Sequence, residues 1–528
     1  MLKDVRFELL NRKTVKHDIV AGVTVGIVAI PLGMAFAIAS GVKPEYGIYT
    51  TVIAGLLVAL LGGSRFQIAG PTGAFIPILL GIVLQYGYED LLVAGFMAGV
   101  FLLVMSFLKV GDLIHFVPRA VTVGFTAGIA VIIFTGQIGN FLGLEGVEQQ
   151  EFFHRDMLEI LRSIGTVNLL SVLTAVTGLA VIVLLTRFAP KVPAFLIALL
   201  IPTLIASIFY PGQVATIGTA YGGIPQKLPE FSFPQLTFQK VVELWQPALI
   251  IAALGAIESL LSAVVADGMA GGPTARSNRE LFGQGVANMV TPLFGGIPAT
   301  GAIARTATNI RSGAVSPMSG VVQSVFVLFV LVLFAPFASH VPLAAMAPIL
   351  MFVAWNMSGI RPFAQIAGLR SGDSAVLLAT FLLTVSVNLT VGVQAGFLLA
   401  VIMFLRKMSG KLVLQVKPAE KEDYLSGNVE PGSLFTSVKV SGPLFFGTVR
   451  AFELKLDQEI KKGPNALILR MKGLTALDAG GVAAMSEVLD KAALNGIRIL
   501  LQGLPAEKRV LLSKSGLLEK IGKENVLK

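Results

Sequence analysis

One stretch constrains this chain more than any other: residues 291–312, TPLFGGIPATGAIARTATNIRS. It lies in a strongly apolar region but contains Gly295, Gly296, Pro298 and Gly301. Proline lacks a hydrogen-bond donor and glycine weakens helix interiors, so one continuous buried helix is not expected here. The stretch predicts a helix that begins at about Pro298, inside the protein, and an anion is a good partner for its free N–H groups.

A second stretch repeats this pattern at residues 62–77, GGSRFQIAGPTGAFIP. Its Thr72-Gly73-Ala74 matches Thr300-Gly301-Ala302, and the offset from Thr72 to Thr300 is 228 residues. Glycine and proline also ease helix packing in membranes, which would be enough to explain one such stretch. Two short, interrupted segments at matching places in two halves instead favour a transporter binding site.

The composition is that of a polytopic membrane protein. Of the 528 residues 54% are hydrophobic and 14% are charged, against about 25% charged residues in soluble domains. The chain has no cysteine and only four histidines, so we expect no disulfide, metal site or cofactor. The net charge of +10 lies in loops and tails, where membrane topology explains it, so nucleic-acid binding is not expected.

Fourteen membrane segments are predicted, seven in each half of residues 17–410. They are 17–38, 45–62, 71–86, 91–108, 117–141, 168–187, 193–209, 244–266, 280–294, 299–312, 317–339, 342–357, 374–390 and 392–408. The two repeats are residues 17–209 and 244–408, and the third segment of each repeat is the short one. Pro31 predicts a break or kink in the first segment, 17–38. An odd number per repeat makes the second repeat inverted relative to the first.

The loop charges predict the orientation in the membrane. Basic residues concentrate in the loops that lie inside if the N-terminus is cytoplasmic. Residues 1–16 are then an uncleaved cytoplasmic tail in the plasma (inner) membrane. After a linker at 411–431, residues 432–528 predict a small cytoplasmic α/β domain. Its strands are expected at 433–440, 465–471 and 497–502, and its helices at 448–461, 480–494 and 505–515.

Several motifs resemble one family, the sulfate permeases (SulP, solute carrier 26). Residues 44–65, PEYGIYTTVIAGLLVALLGGSR, are similar to its signature, with slight departures at Ile48 and Val58. Residues 70–74, GPTGA, and 301–306, GAIART, also resemble the family. Residues 477–481, LDAGG, resemble the loop of a STAS domain. The resemblance covers nearly the whole chain.

The resemblance implies a 7+7 inverted-repeat fold with a core and a gate domain, an elevator-like motion of the core, and a homodimer. It places the substrate between the N-termini of the two short helices, with Phe36 also lining the site. The expected substrate-binding residues are Phe36, Thr72, Gly73, Ala74, Thr300, Gly301, Ala302, Ala304 and Arg305. In the STAS domain Ala479 and Gly480 replace the phosphorylatable residue of some relatives, so switching by phosphorylation at this loop is not expected. A docking and dimer-supporting module, with a cytoplasmic regulator as a partner, is the expectation.

Glu258 is a carboxylate that the sequence places inside the membrane, where a charged side chain is energetically costly. It follows Trp245 by thirteen residues, which is about 20 Å along a helix. Such a carboxylate normally marks function, and we assign it to proton coupling. A buried pair with Arg305 that serves only stability is the alternative, although such pairs are weak stabilisers.

A charge count links the proton to the anion. Two helix N-termini at about +0.5 each and Arg305 give a site of about +2, which an ionised Glu258 lowers to about +1. Protonation restores the higher charge, so proton and divalent anion would favour each other's binding.

The predicted function is therefore proton-coupled transport of sulfate or another divalent anion such as a dicarboxylate. Bicarbonate transport, coupled to sodium or not, is the alternative within the same class, although relatives of that kind are expected to carry Asp at the position of Glu258. An uncoupled anion channel, exchanger or motor protein is a second alternative. Nucleobase permeases share the fold but lack the 44–65 signature and the STAS tail. No nucleophile elbow, P-loop or metal-ligand cluster is found, so an enzyme is not expected.

Overall fold

The computed structural model describes residue 6 and residues 12–112, 118–147, 150, 152–190, 192–226, 229–271, 275–417 and 435–527. The chain divides into two compact units, residues 1–397 and 398–528. The first unit contains the membrane helices up to the start of the last one. The second contains the remainder of that helix and a small α/β domain.

A helix occupies each of the seven predicted segments of the first half, with shorter helices in the connections. The elements are α1 Arg12–Ala39, α2 Pro44–Leu61, β1 Ala69–Gly70, a 3-10 turn Gly73–Phe75 leading into α3 Ile76–Tyr86, α4 Tyr88–Phe107, α5 Arg119–Gly136, α6 Ile138–Leu142, α7 Phe153–Arg162, α8 Leu169–Phe188, α9 Ala194–Phe209 and α10 Ile217–Tyr221.

The second half has the same number of helices at its predicted segments. The elements are α11 Phe238–Ala270, α12 Ser277–Val290, β2 Thr300–Gly301, α13 Ile303–Arg311, α14 Met318–Ala338, α15 Leu343–Met357, α16 Ile360–Gly368, α17 Gly372–Ser386 and α18 Leu389–Ser409.

In the described residues, nine helices are long and apolar enough to cross a membrane, and three shorter apolar helices accompany them. The chain is therefore a multi-pass membrane protein. Helices α12 and α13 are shorter and more polar, and their polar side chains Glu280, Asn288, Arg305 and Asn309 are buried inside the protein.

The structure differs from two expectations about breaks in the helices. The first helix is not broken at Pro31 but is continuous from Arg12 to Ala39, and a kink there stays a prediction. The helix predicted at about Pro298 begins at Ile303, because the residues before it form a 3-10 turn at Thr291–Phe294 and then β2. Gly295, in a left-handed conformation at φ 73°, ends that turn, and glycine adopts this conformation without the strain that other residues incur.

Helix packing divides the membrane region into two groups. In one group, which is the core domain, α1 packs on α2 and α14, while α12 packs on α2 and α4 and α11 packs on α4. In the other, which is the gate domain, α5 packs on α15 and α17, and α8 packs on α9 and α15. Contacts of α1 with α9 and α15, and of α3 with α5, join the two groups.

The C-terminal domain is a five-stranded sheet with helices. Its elements are β3 Val413–Lys417, β4 Phe435–Leu444, α19 Val449–Ile460, β5 Ala466–Leu477, α20 Ala479–Leu494, β6 Arg498–Gln502, α21 Ala506–Lys514, α22 Leu517–Ile521 and β7 Val526–Leu527. The strand order is β3-β4-β5-β6-β7, and only the β3–β4 pair is antiparallel. Buried Val438, Phe452, Leu467, Leu469 and Met485 form its centre.

The sequence missed the two outer strands of this sheet. The predicted linker at 411–431 begins with β3, which pairs with residues 437–441 of β4, and residues 418–431 lie outside the described part of the chain. The edge strand β7 has only two residues, too few to show an alternation of apolar and polar positions.

Candidate functional site

Two short strands bring the matching stretches together inside the membrane region. Ala69 pairs with Gly301 and Gly70 pairs with Thr300, in antiparallel orientation. After each strand the chain turns into a short helix, α3 through its 3-10 turn and α13 directly. Because the strands are antiparallel, the two helices leave the pair in opposite directions with both N-termini beside it.

The strands also correct the correspondence between the two halves. The sequence matches Thr72-Gly73-Ala74 with Thr300-Gly301-Ala302, but Thr300 and Gly301 belong to a strand while Gly73 and Ala74 belong to a helical turn. By position in the fold, Ala69–Gly70 corresponds to Thr300–Gly301. The similar tripeptides therefore occupy positions that differ by three residues in the two halves.

Both short helices begin with unpaired backbone donors. The N–H groups of Gly73 and Ala74, and those of Ile303 and Ala304, have no hydrogen-bond acceptor in the described part of the chain. In the first helix start the next donor is satisfied, since Phe75 N–H donates to Thr72 O at 3.2 Å; in α13 the Thr306 N–H donates to Ala302 O at 2.8 Å. Such helix starts attract anions.

Glu258 and Arg305 form hydrogen bonds with two consecutive residues, Thr72 and Pro71, which directly precede the 3-10 turn that leads into α3. The hydroxyl of Thr72 donates to Glu258 Oε2 at 2.9 Å. The guanidinium of Arg305 donates through Nη2 to the carbonyl of Pro71. In the described residues the two charged groups make no direct ion pair, so the alternative of a purely structural Glu258–Arg305 pair is not supported by a contact.

The two groups differ in their access to solvent. Arg305 is 2% exposed, whereas Glu258 is only half-buried. Arg305 Nη1 is buried without an acceptor in the described part of the chain, and a Cβ on Gly70 would lie 2.6 Å from it. The backbone must therefore pass Arg305 closely at Gly70, where glycine provides the room.

The segment 63–72, which leads to this site, is held by side chains of the second half. Glu280 accepts from the N–H groups of Gly63 and Ser64, and Asn309 donates to Phe66 O at 3.0 Å. Thr306 accepts from Ile68 N–H at 3.0 Å. These bonds, with those to Pro71 and Thr72, fix an extended backbone that would otherwise leave polar groups unpaired in the membrane.

Sequence reasoning missed most of these supporting residues. On α12, Glu280, Gln284 and Asn288 recur every fourth position, which puts them on one helix face. That pattern in an otherwise apolar segment was the available signal. Asn288 binds both backbone groups of Ala299, donating to its carbonyl and accepting from its N–H at 2.8 Å each.

Other predicted residues occupy varied surroundings. The Thr300 hydroxyl is buried and bonds Gly255 O and Ser259 Oγ at 3.0 and 2.8 Å, so only its backbone can face a ligand. Ala74 and Ala302 are buried, while Ala304 is exposed. Phe36 lies beside Gly73, where its ring would be 3.5 Å from an added Cβ.

Gly73 also contacts the second group of helices. A Cβ there would lie 3.1 Å from Met357 Sδ and 3.2 Å from Ile133 Cδ1. Ile133 also lines a cavity of about 400 Å³ between α3 and α11 on one side and α5 and α17 on the other. None of the predicted site residues lines this cavity.

Polar and acidic side chains surround this cavity. They include Gln85, Gln137, Gln150, Gln246, Gln394, Asn388, Glu243 and Asp156. Burial raises the pKa of the Asp156 carboxyl on α7 above its ordinary value, although a backbone hydrogen bond from Gln150 opposes this.

A membrane domain in which two interrupted helices meet at a buried strand pair is the architecture of a secondary transporter. The sulfate permease family model matches residues 15–380, and the STAS domain model matches residues 428–527. The chain belongs to the sulfate permease family and is an anion transporter, not an enzyme.

Its relatives include proteins named as sulfate transporters and as bicarbonate transporters. The chain is 52% identical to "Putative sulfate transporter YvdB" of Bacillus subtilis, over 98% of this chain and 97% of that protein. It is 27% identical to the bicarbonate transporter BicA of Picosynechococcus, over 98% and 94% of the two chains. The structure of the murine anion transporter Slc26a9 in the inward-facing state superposes with a TM-score of 0.84 at 17% identity, covering 98% of this chain and 90% of that one.

Proposed function

We propose that this protein couples the movement of a proton to the transport of a small divalent anion, such as sulfate or a dicarboxylate. The observation that carries the proposal is the hydrogen bond from Thr72 to Glu258 at 2.9 Å. It joins the acidic side chain of Glu258 to the residue directly ahead of the free N–H groups of Gly73 and Ala74. The charge state of Glu258 therefore acts directly on the anion site.

The anion binds between the starts of the two short helices. Four backbone N–H groups and the guanidinium of Arg305 supply positive potential in a site of low dielectric, where charges interact more strongly than in water. An ionised Glu258 opposes this potential, and proton uptake removes the opposition. Anion binding is therefore tighter at lower pH, and by reciprocity a bound anion favours protonation.

Transport follows from motion of one helix group against the other. Phe36, Thr72, Gly73 and Arg305 belong to the group built from α1–α4 and α11–α14, whereas Ile133 and Met357 belong to the other. The hydrogen bonds that hold segment 63–72 all lie within the first group. The site can therefore move as a rigid body past Ile133 and Met357, as an elevator-like mechanism requires.

The cellular setting is inferred from charge and family. The distribution of basic loops supports cytoplasmic termini in the plasma (inner) membrane, with the two repeats inverted. A homodimer is proposed by family resemblance. The STAS domain is proposed by family resemblance to bind a cytoplasmic regulator. Asp478 of its motif caps α20 through Gly481 N–H at 2.7 Å, and Ala479 and Gly480 carry no phosphorylatable hydroxyl, so switching by phosphorylation is not proposed at this loop.

Bicarbonate is the second candidate, and the relationship to BicA favours it. A monovalent anion needs less positive charge, so the buried Arg305 beside the site supports a divalent substrate instead. An uncoupled channel is the third candidate, which would carry current without saturable uptake. The three candidate functions differ in whether a proton gradient should drive uptake of the anion.

Purified protein in liposomes distinguishes them. Labelled sulfate, succinate and bicarbonate are offered with and without an inward proton gradient. We expect saturable uptake of sulfate or succinate, and we expect the proton gradient to raise the concentration inside the liposomes above the concentration outside. Uptake of bicarbonate alone, or uptake indifferent to the gradient, would contradict the proposal.

A further inference from the structure

A charged side chain from the N-terminal tail is buried at the start of the segment that leads to the anion site. Arg6 is 6% exposed, although the sequence places it in a cytoplasmic tail. Its guanidinium donates to Leu60 O at 2.8 Å and Ala59 O at 3.2 Å. These carbonyls end α2, where the helix carries partial negative charge, so a cation there is stabilising.

The same guanidinium reaches beyond the helix end. Arg6 Nη1 also donates to Ser64 O at 3.5 Å. The N–H of Ser64 donates in turn to Glu280 Oε2 at 3.1 Å. The backbone of Ser64 is therefore held on its two polar groups by side chains of opposite charge, and Ser64 itself is 3% exposed.

Glu280 is surrounded by donors. Its Oε2 accepts from Gly63 N–H at 2.8 Å as well as from Ser64, and its Oε1 accepts from Gln67 Nε2 and Gln284 Nε2 at 3.1 Å each. The side chain is 0% exposed. Four donors around one buried carboxyl group suit a carboxylate whose task is to hold other groups in place.

This arrangement is continuous with the anion site. Gln67 uses the same amide nitrogen to donate to Ser259 O at 3.0 Å, and Ser259 bonds the hydroxyl of Thr300. Gly301 lies against Gln67 so closely that an added Cβ would overlap the Gln67 amide. A shift of Ser64 would therefore move both strands that carry the helix starts.

We propose that Arg6 and Glu280 are positioning residues for anion transport: together, as the Ser64 clamp, they fix the register of segment 63–72 and so set the affinity of the site. This rests on the proposed function for its effect on affinity. It assigns the N-terminal tail a part in transport that neither the hydropathy pattern nor the charge count indicates.

The test compares Arg6→Gln, Glu280→Gln and the double variant in the full-length protein, with Lys16→Gln as the matched control. Lys16 is exposed, so its variant removes one N-terminal positive charge without touching the clamp. Two readouts are combined. Amide hydrogen exchange of residues 62–72 reports the order of the segment without any substrate, and labelled sulfate uptake into liposomes gives KM and Vmax.

We expect Arg6→Gln and Glu280→Gln to speed exchange in residues 62–72. We also expect KM for sulfate to rise about tenfold, with Vmax within about twofold of wild type. The double variant should raise KM by less than the product of the two single-variant increases, because both side chains act on one backbone unit. Lys16→Gln should match wild type in all readouts.

Unchanged exchange in Arg6→Gln would overturn the clamp, and faster exchange with an unchanged KM would overturn its positioning role. If Glu280→Gln does not fold, Arg6→Gln alone carries the test. If the wild-type protein itself takes up no sulfate, the proposed function fails, and the exchange measurement still decides whether the clamp exists.

Discussion

At the residue scale, two charges act on neighbouring peptide units without touching each other. Arg305 binds the carbonyl of Pro71 and Glu258 accepts from the hydroxyl of Thr72. An ion pair would neutralise both groups and leave little potential for a substrate. In the proposed mechanism, their separation keeps the guanidinium available to attract an anion and leaves the half-buried carboxyl group able to exchange a proton.

Replacing Arg305 tests the source of this attraction. Arg305→Ala removes one positive charge in both protonation states of Glu258, so anion affinity should fall by about tenfold to a hundredfold at every pH. Arg311→Ala is the control, since Arg311 ends the same helix and is exposed. Equilibrium binding of labelled sulfate to both variants across pH 5 to 8 is the measurement. Wild-type affinity in Arg305→Ala would remove this residue from the site.

Gly73 tests the approach of the anion to the backbone. A Cβ there already lies 3.1–3.2 Å from Met357 and Ile133, so Gly73→Val fills the space in front of the free N–H groups and should abolish sulfate binding. Gly81→Val is the control in α3, because a Cβ at Gly81 meets nothing within 4 Å. Thermal unfolding shows whether each variant is folded. A folded Gly73→Val that binds sulfate normally would refute the site.

At the element scale, an extended segment inside a membrane is possible because another part of the chain satisfies its polar groups. Segment 63–72 has few backbone partners of its own before β1. Side chains of α12 and α13 supply them, from residues more than 200 positions away in the sequence. The polar backbone groups that the interrupted helices leave free are therefore paired by buried polar side chains.

The loss of one such hydrogen bond should lower the free energy of unfolding by a measurable amount. Thr306→Val leaves the N–H of Ile68 without its acceptor, which should lower the free energy of unfolding by about 1–3 kcal/mol. Thr308→Val is the isosteric control on the same helix, because among the described residues the Thr308 hydroxyl bonds only Ala304 O of its own helix; it should cost less than about 0.5 kcal/mol. Denaturation in detergent compares the two. Equal stabilities would mean that Ile68 finds another acceptor.

The helices were predictable from the sequence, but the strand pair was not. Long apolar runs set the positions of α1, α4 and α14 whatever their neighbours are. The start of α13 at Ile303 instead depends on pairing of Gly301 with Ala69, a contact between residues far apart in sequence. The first helix continues through Pro31 for a similar reason, since neighbouring helices can satisfy the groups that a proline frees in a membrane. Arg6 and Glu280 became interpretable only through their shared contact at Ser64.

At the scale of the whole molecule, the membrane domain and the STAS domain have separate cores. The buried centre of the STAS sheet includes β4, β5 and β6, and its outer strand β3 lies before residue 418. A division between the domains must therefore fall ahead of β3. Truncation within the predicted linker would leave β3 without its partner.

This predicts a difference between two truncations. Deleting residues 411–528 should leave a folded, sulfate-binding membrane domain. Deleting residues 432–528 removes β4 but retains β3, whose unpaired edge should promote aggregation. Size-exclusion chromatography and sulfate binding of both proteins are the measurements. Failure of the shorter protein to fold would show that the STAS domain is required by the membrane domain.

The central claim is that Glu258 carries the coupled proton, and Glu258→Gln tests it most directly. Gln has the shape of the protonated side chain, so sulfate binding should persist and lose its pH dependence. In liposomes, uptake driven by a proton gradient should disappear, while sulfate-for-sulfate exchange, which needs no net proton movement, should continue. The two fluxes are measured in the same preparation. If Glu258→Gln still accumulates labelled sulfate in response to a proton gradient, Glu258 does not couple transport to protons.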